Sequence, residues 1–363
     1  HRRVTGDSRF VLGNMREPIC PSGNLVRVAS STNPSPLYGT GLEEFPASNA
    51  PVLSGSEGGI FEMSDAPPTQ SPRASSDRLR VGVVGCGLMG SGIAEVCARS
   101  QLDVIVVESS AAAVSAGSTR IARSVQRGVD RGQIPSAGEV MSFITICDDL
   151  GSLEDRTIVI EAIAEDEAAK VALFRKLDGI IQDDSAILAS NTSSIPIMKL
   201  AGATRRPSHV MGIHFFNPVP VLSLVELIPS LFTQEEVVSR ARAFVEVELG
   251  KHAIRCQDRA GFVVNALLIP FILSAIRMLE SGFATAADID RGMVLGCAHP
   301  QGPLSLADLV GLDTTKSVAD SLWEEFKEPL FACPPLLARM VDAGFLGRKS
   351  GRGFYTYDSS TGA

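Results

Sequence analysis

From Arg80 onward the apolar residues of the chain keep two rhythms. Short continuous runs rich in β-branched residues, "RVGVVG" (80–85), "DVIVVE" (103–108), "TIVIEAI" (157–163) and "SAILAS" (185–190), are apolar at nearly every position. Strands of that kind are buried on both faces, as in a parallel sheet, whereas half-exposed strands alternate. Between them, "SGIAEVCARS", "AAVSAGSTRIARSVQRGVD" and "EDEAAKVALFRKLDGII" repeat their apolar positions at the helical period. Strand, helix, strand in this order predicts a Rossmann-type, doubly wound α/β sheet. After "HAIRCQD" (252–258) the rhythm becomes helical, starting with "AGFVVNALLIPFILSAIRMLESG" (260–282), where Pro270 predicts a kink and Gly282 a stop. The expected architecture is an α/β domain over 78–258 and an all-α C-terminal domain over 259–363.

Residues 1–77 keep neither period. Ser, Pro, Gly and Asn recur there, which predicts a disordered tail. The tail also lacks the continuous apolar core of a secretory signal. Because the chain opens on His1 and Met63 stands shortly before the first strand, the reading places the natural translation start at Met63.

Composition narrows the functional classes. A formal net charge of −8 argues against general attraction to nucleic acid or an anionic membrane. Seven cysteines, odd in number, widely spread and without a C-x-x-C pair, argue against a disulfide framework or a zinc site and fit a reduced, cytoplasmic setting. The most apolar stretch, Ala260 to Ile276, contains Asn265 and Pro270 and is short for a membrane span, so it reads as a buried helix. No metal site is expected.

Chemistry enters with "VGVVGCGLMGSGIAEV", where Gly85, Gly87 and Gly90 keep the G-x-G-x-x-G spacing around Leu88 and Met89, between a strand and a helix. Gly85 makes the tight turn, Gly87 lets the backbone approach a pyrophosphate, and Gly90 lets helix and strand pack closely. Glu108, ending the second strand, is placed to take the adenosine ribose hydroxyls and to repel a 2′-phosphate. Ser109, Ser110 and the alanines after them offer no arginine for NADP, so NAD is the expected cofactor.

Hydride transfer to a nicotinamide from a carbon bearing a hydroxyl needs a group that removes the hydroxyl proton, and histidine suits neutral pH. Of five histidines, only His214, opening "HFFNPVPVLSLVE" (214–226), follows an apolar strand of the nucleotide domain with a glutamate on the next strand. A lone histidine beside a strand is more often structural. Its neighbours change the balance: "HFFNPVP…LVE", with "SNTSSIPI" (190–197) and "DRAGFVVNALL" (258–268), closely resembles the 3-hydroxyacyl-CoA dehydrogenase family, from about Arg80 to Tyr357. "SSIPIMK" and "RKSGRGFYTYD" make it most similar to the stand-alone bacterial 3-hydroxybutyryl-CoA members.

The resemblance implies the following roles. His214 is the general acid/base, and Glu226, at the end of the following strand, pairs with it. Ser193 and Asn265 contact the reacting oxygen, Ser193 also meeting the cofactor. Glu165, Lys170, Asn217 and Lys349 are implied cofactor contacts, and Ser124 and Arg131 meet coenzyme A. Read without the family, Glu165 and Lys170 could equally form a solvated helix face and Asn217 a turn. Arg131 stands where a lysine is common, which keeps the charge but not its geometry. "RAGF" replaces "PGF", and Ala266 replaces an arginine, departures that bear on the hinge between domains or on the acyl pocket. The implied activity interconverts (S)-3-hydroxyacyl-CoA and 3-oxoacyl-CoA of short chain with NAD, in fatty-acid metabolism of the β-oxidation type, as a cytoplasmic homodimer held by the C-terminal domain. The alternatives are a relative acting on a hydroxyacyl group tethered to a carrier protein, and a non-catalytic NAD-binding sensor.

Overall fold

The computed structural model describes residues 79–357. The expectations for the tail and for a start at Met63 lie outside the described residues.

Eight strands form one sheet: β1 Arg80–Val84, β2 Asp103–Val107, β3 Ile144–Cys147, β4 Ile158–Glu161, β5 Ile187–Ser190, β6 Val210–Phe215, β7 Leu224–Pro229 and β8 His252–Arg255. Their order is β3-β2-β1-β4-β5-β6-β7-β8. The first six are parallel, β7 runs antiparallel to β6, and β8 is parallel to β7. The four runs singled out in the sequence are β1, β2, β4 and β5. The remaining strands are no shorter but are interrupted or flanked by polar residues, Thr145 in β3, His214 in β6, Glu226 in β7 and His252 and Arg255 in β8, and β3 is only partly buried.

Helices cover both faces. Packed with one core are α1 (Leu88–Arg99), α2 (Ala111–Asp130), α3 (Ala137–Met141) and α6 (Glu235–Ala243), through residues such as Ile93, Ile121, Val140 and Val237. On the other core lie α4 (Glu167–Ile180) and α5 (Ile197–Ala201), through Phe174, Leu177 and Leu200. The strand order reverses between β1 and β4. In open α/β sheets ligands bind in the crevice at the carboxyl ends of strands at such a switch point.

The rest is helical: α7 Val264–Glu280, α8 Ala286–Cys297, α9 Pro303–Val310, α10 Leu312–Phe326 and α11 Pro335–Asp342, around a third core that includes Ile272, Leu304 and Leu322. The helix read from Ala260 begins later, at Val264, because Gly261 (φ +73°) and Phe262 (φ +49°) take left-handed conformations that no helix continues through. It runs on through Pro270 to Glu280, and Gly282 (φ +71°) ends it as expected. Among the described residues no helix is long and apolar enough to cross a membrane, no His/Cys/Asp/Glu cluster fits a metal, and all six cysteines are free.

The glycine turn is built as its spacing predicts. Gly85 has φ +91°, and a Cβ there would sit 2.8 Å from the Ala162 carbonyl oxygen. A Cβ at Gly90 would lie 1.8 Å from the Gly85 carbonyl oxygen, so α1 crosses the turn at a distance only glycine permits. Gly90→Ala is therefore expected to separate helix from turn at a cost of about 1–3 kcal/mol, as overpacking does. Denaturant unfolding and NADH fluorescence titration check this, with stability and affinity expected to fall together.

Candidate active site

His214 lies near the end of β6 and Glu226 near the start of β7. The resemblance put the glutamate at the end of its strand. Because β7 is antiparallel to β6, the start of β7 meets the end of β6, and the register sets His214 directly opposite Glu226. Opposed residues of an antiparallel pair share a face. The side chains meet with Nδ1 2.8 Å from Oε2, the imidazole 6% exposed and the carboxylate 0%. Phe216 and Phe262 place their rings edge-on to the imidazole, with centroids 4.7 Å and 5.4 Å away.

The other oxygen of Glu226 reaches into the helical part. Oε1 accepts the backbone N–H groups of Val263 and Val264, each at 3.0 Å, at the start of α7. Those amides have no partner within the helix, and no side chain of its N-cap serves them. The carboxylate thus caps α7 from the sheet and docks the turn of helix that carries Asn265. With Oε1 taken by two N–H donors and Oε2 facing the imidazole, Glu226 acts as acceptor throughout. The histidine proton then sits on Nδ1, and Nε2 keeps its lone pair.

Ser193 and Asn265 are half-buried, and their side chains make no hydrogen bond among the described residues. Both are free to meet a ligand. The serine loop is tied to β6, because the Asn191 side-chain oxygen accepts the N–H of Phe215 at 2.8 Å.

Lys170 does not belong to a solvated face, although Glu165 is exposed. Lys170 is 1% exposed, with its ammonium 2.7 Å from Glu165 Oε2 and 3.0 Å from Glu161 Oε1. Burial pushes the Glu161 carboxyl up, against the pull of Lys170. At Glu165 burial acts in the same direction, but Lys170 and the hydroxyls of Thr192 and Ser194 outweigh it and hold the carboxyl below its ordinary value. Sequence reading missed Glu161. The signal available was an acidic residue ending a run otherwise wholly apolar.

On the cofactor side, Glu108 accepts the Cys86 N–H with one oxygen and the Ser109 N–H with the other, so its carboxylate stands over the glycine turn. Arg120 on α2 donates to the Cys86 carbonyl, bringing to this turn an arginine that the residues next to Glu108 do not supply. The N-terminus of α1 has neither a capping side chain nor an acidic residue in its first turn. Open space surrounds Gly87, where a Cβ would meet nothing within 4 Å. Free amides facing open space are the arrangement a pyrophosphate needs, so these residues fit a dinucleotide.

Among the described residues the other expected contacts make no hydrogen bond to the histidine. Asn217 is exposed in the loop after β6. Lys349 pairs with Asp313 on α10 at 2.6 Å. Ser124 and Arg131, seven residues apart, share one face of α2 and its C-cap, and their side chains make no hydrogen bond among the described residues. The "RAGF" departure has a structural use: the Ala260 N–H donates to Glu325 Oε2 at 2.8 Å, which a proline could not do.

A doubly wound sheet with a glycine turn at its switch point, and a histidine oriented by a buried carboxylate, define a Rossmann-type NAD-dependent dehydrogenase. Residues 80–259 match the family model of the 3-hydroxyacyl-CoA dehydrogenase NAD binding domain, and residues 261–357 that of the 3-hydroxyacyl-CoA dehydrogenase C-terminal domain. The chain belongs to the 3-hydroxyacyl-CoA dehydrogenase family. It is 56% identical over 280 residues to a 3-hydroxybutyryl-CoA dehydrogenase of Mycobacterium tuberculosis, covering 77% of this chain and 98% of the relative. The mitochondrial hydroxyacyl-coenzyme A dehydrogenase of Sus scrofa is 39% identical over 287 residues, covering 76% and 90%. The crystal structure of (S)-3-hydroxybutyryl-CoA dehydrogenase PaaH1 from Ralstonia eutropha matches with a TM-score of 0.73 at 43% identity, over 77% of this chain and 99% of that one.

Glu226→Gln replaces one acceptor oxygen by a donor, so either the histidine tautomer or the capping of α7 must give way. It is expected to lower kcat about 10²–10⁴-fold, as loss of an orienting carboxylate does elsewhere. A lower denaturation midpoint should accompany it, and steady-state kinetics with thermal unfolding check both.

Proposed function

We propose that this chain is an NAD-dependent 3-hydroxyacyl-CoA dehydrogenase of short-chain preference, interconverting (S)-3-hydroxybutyryl-CoA and acetoacetyl-CoA. The observation that carries the reading is the buried His214–Glu226 pair, with Nε2 making no hydrogen bond among the described residues. The names of the relatives, which cover nearly their full length in the match, support the substrate.

A nicotinamide cofactor, when bound, would supply the hydride acceptor or donor. In oxidation, His214 Nε2 takes the proton of the substrate hydroxyl as the hydride leaves the same carbon. Glu226 holds Nδ1–H and stabilises the imidazolium that forms. Ser193 Oγ and Asn265 donate to the substrate oxygen while it carries partial negative charge. In reduction, the imidazolium returns the proton to the forming hydroxyl. Phe216 and Phe262 keep water from the imidazole. Glu108 and the α1 amides would hold the adenosine and pyrophosphate. Glu165, Lys170, Asn217 and Lys349 bear on the cofactor, and Ser124 and Arg131 on the coenzyme A moiety.

We also read the protein as a cytoplasmic homodimer. The helical part exposes large apolar side chains, with Leu267, Phe283 and Leu295 each more than 70% exposed. Such a surface is costly unless another surface covers it.

Purified protein is expected to consume NADH with acetoacetyl-CoA, with turnover falling as the 3-oxoacyl chain lengthens. His214→Ala should remove most of that turnover while NADH still binds. NADH binding without turnover of any CoA ester would instead point to a carrier-tethered substrate or a sensor. Light scattering is expected to show a dimer, which Leu267→Glu with Leu295→Glu should dissociate.

A further inference from the structure

We propose that Glu161 is a positioning residue for the reaction: from the end of β4 it fixes the loop that presents Ser193, through Ser190 on one side and the Lys170–Glu165 pair on the other. This rests on the role given to Ser193 under the proposed function.

Glu161 is 0% exposed, and each of its oxygens is committed. Oε2 accepts the Ser190 hydroxyl at 2.6 Å, and the Ser190 oxygen in turn accepts the Thr192 N–H at 3.1 Å. Oε1 accepts the Ile163 N–H at 2.8 Å and lies 3.0 Å from the Lys170 ammonium. The same ammonium holds Glu165, whose Oε1 accepts the Ser193 N–H at 3.1 Å and the Ser194 hydroxyl at 2.9 Å, with the Thr192 hydroxyl as a third donor. Every residue from 190 to 194 is therefore bonded to Glu161 or Glu165, Asn191 through the Glu161 main-chain carbonyl at 2.9 Å, and the Asn191 side chain is bonded to Phe215 beside the catalytic histidine. Ser193 keeps its hydroxyl free while its backbone is held.

The charge of Glu161 matters as well as its shape. A buried ammonium drawn to two carboxylates sits between them. Without the charge at 161, the pull on Lys170 comes from Glu165 alone. A misplacement of about 1 Å at a reacting group can cost on the order of a hundredfold in rate. Among the described residues Glu161 makes no hydrogen bond to the Ser193 side chain or the imidazole, so the proposed effect is one passed on through the loop.

The test is a double-mutant cycle of Glu161→Gln with Ser193→Ala, read as kcat and KM for acetoacetyl-CoA reduction by NADH in the full chain. Glu161→Gln alone is expected to lower kcat about tenfold to a hundredfold, with KM changing less than about threefold. In the Ser193→Ala background the same substitution should cost less than about threefold, because the group it positions is gone. A purely structural role would cost the same factor in both backgrounds, and that result overturns the proposal. If Glu161→Gln fails to fold, Ser190→Ala removes one arm of the support without a charge change. It should lose about threefold to tenfold with Ser193 present and almost nothing without it. If Ser193→Ala leaves turnover intact, the role of Ser193 fails and the proposal falls with it. If Ser193→Ala is slow but the losses multiply, Glu161 alone has been misread.

Discussion

A single carboxylate with no exposure to water, Glu226, ties together what the reaction needs. Burying a charge costs several kcal/mol, and the cost is offset only when every lone pair it presents is met by a donor in good geometry. Here one oxygen faces the imidazole of His214 and the other takes two amides from the start of α7. The same group therefore fixes the tautomer of the base and docks the helix that carries Asn265. Breaking a buried pair of this kind typically costs about 3–5 kcal/mol, because the remaining partners stay buried and unmet. Orientation of the histidine and attachment of the helical part are one interaction and cannot be varied independently.

The sheet makes that interaction possible. Six parallel strands end on one side, where the glycine turn and the serine loop emerge from β1 and β5. The reversal at β7 brings a seventh strand to the same edge from the opposite direction, so its opening residues lie beside the closing residues of β6. Had β7 been parallel, Glu226 would open its strand at the far edge of the sheet. A second charge cluster, buried Glu161 and Lys170 with exposed Glu165, works at the neighbouring strand end in the same way. Both clusters bear on loops: His214 and Glu226 come from separate strands, whereas Glu161, Glu165 and Lys170 share the stretch 161–170 and hold the separate loop 190–194.

What could be read in the sequence follows from that distinction. The glycine turn, Glu108, the runs that form β1, β2, β4 and β5, and the long helix stopped by Gly282 are local patterns, set by sterics and periodicity within a few residues. His214 stood out by its apolar setting, but its pairing with Glu226 was implied by resemblance alone, since no local rule fixes the direction of β7. The late start of α7 was hidden because Phe262 adopts a left-handed conformation that its own side chain does not favour. Lys170 reads as a surface lysine on a helix. Only packing against Glu161 and Glu165 shows it to be buried.

The central claim is that Glu226 fixes the proton of His214 on Nδ1 and leaves Nε2 to the substrate. Multiple-bond ¹H–¹⁵N correlation of the histidine ring in the NAD-bound protein, assigned by comparison with His214→Ala, reads the tautomer directly. The account predicts a neutral ring with Nδ1 protonated and Nε2 bare. A ring protonated on Nε2 alone would contradict it, because the atom offered to the substrate could then not accept its proton.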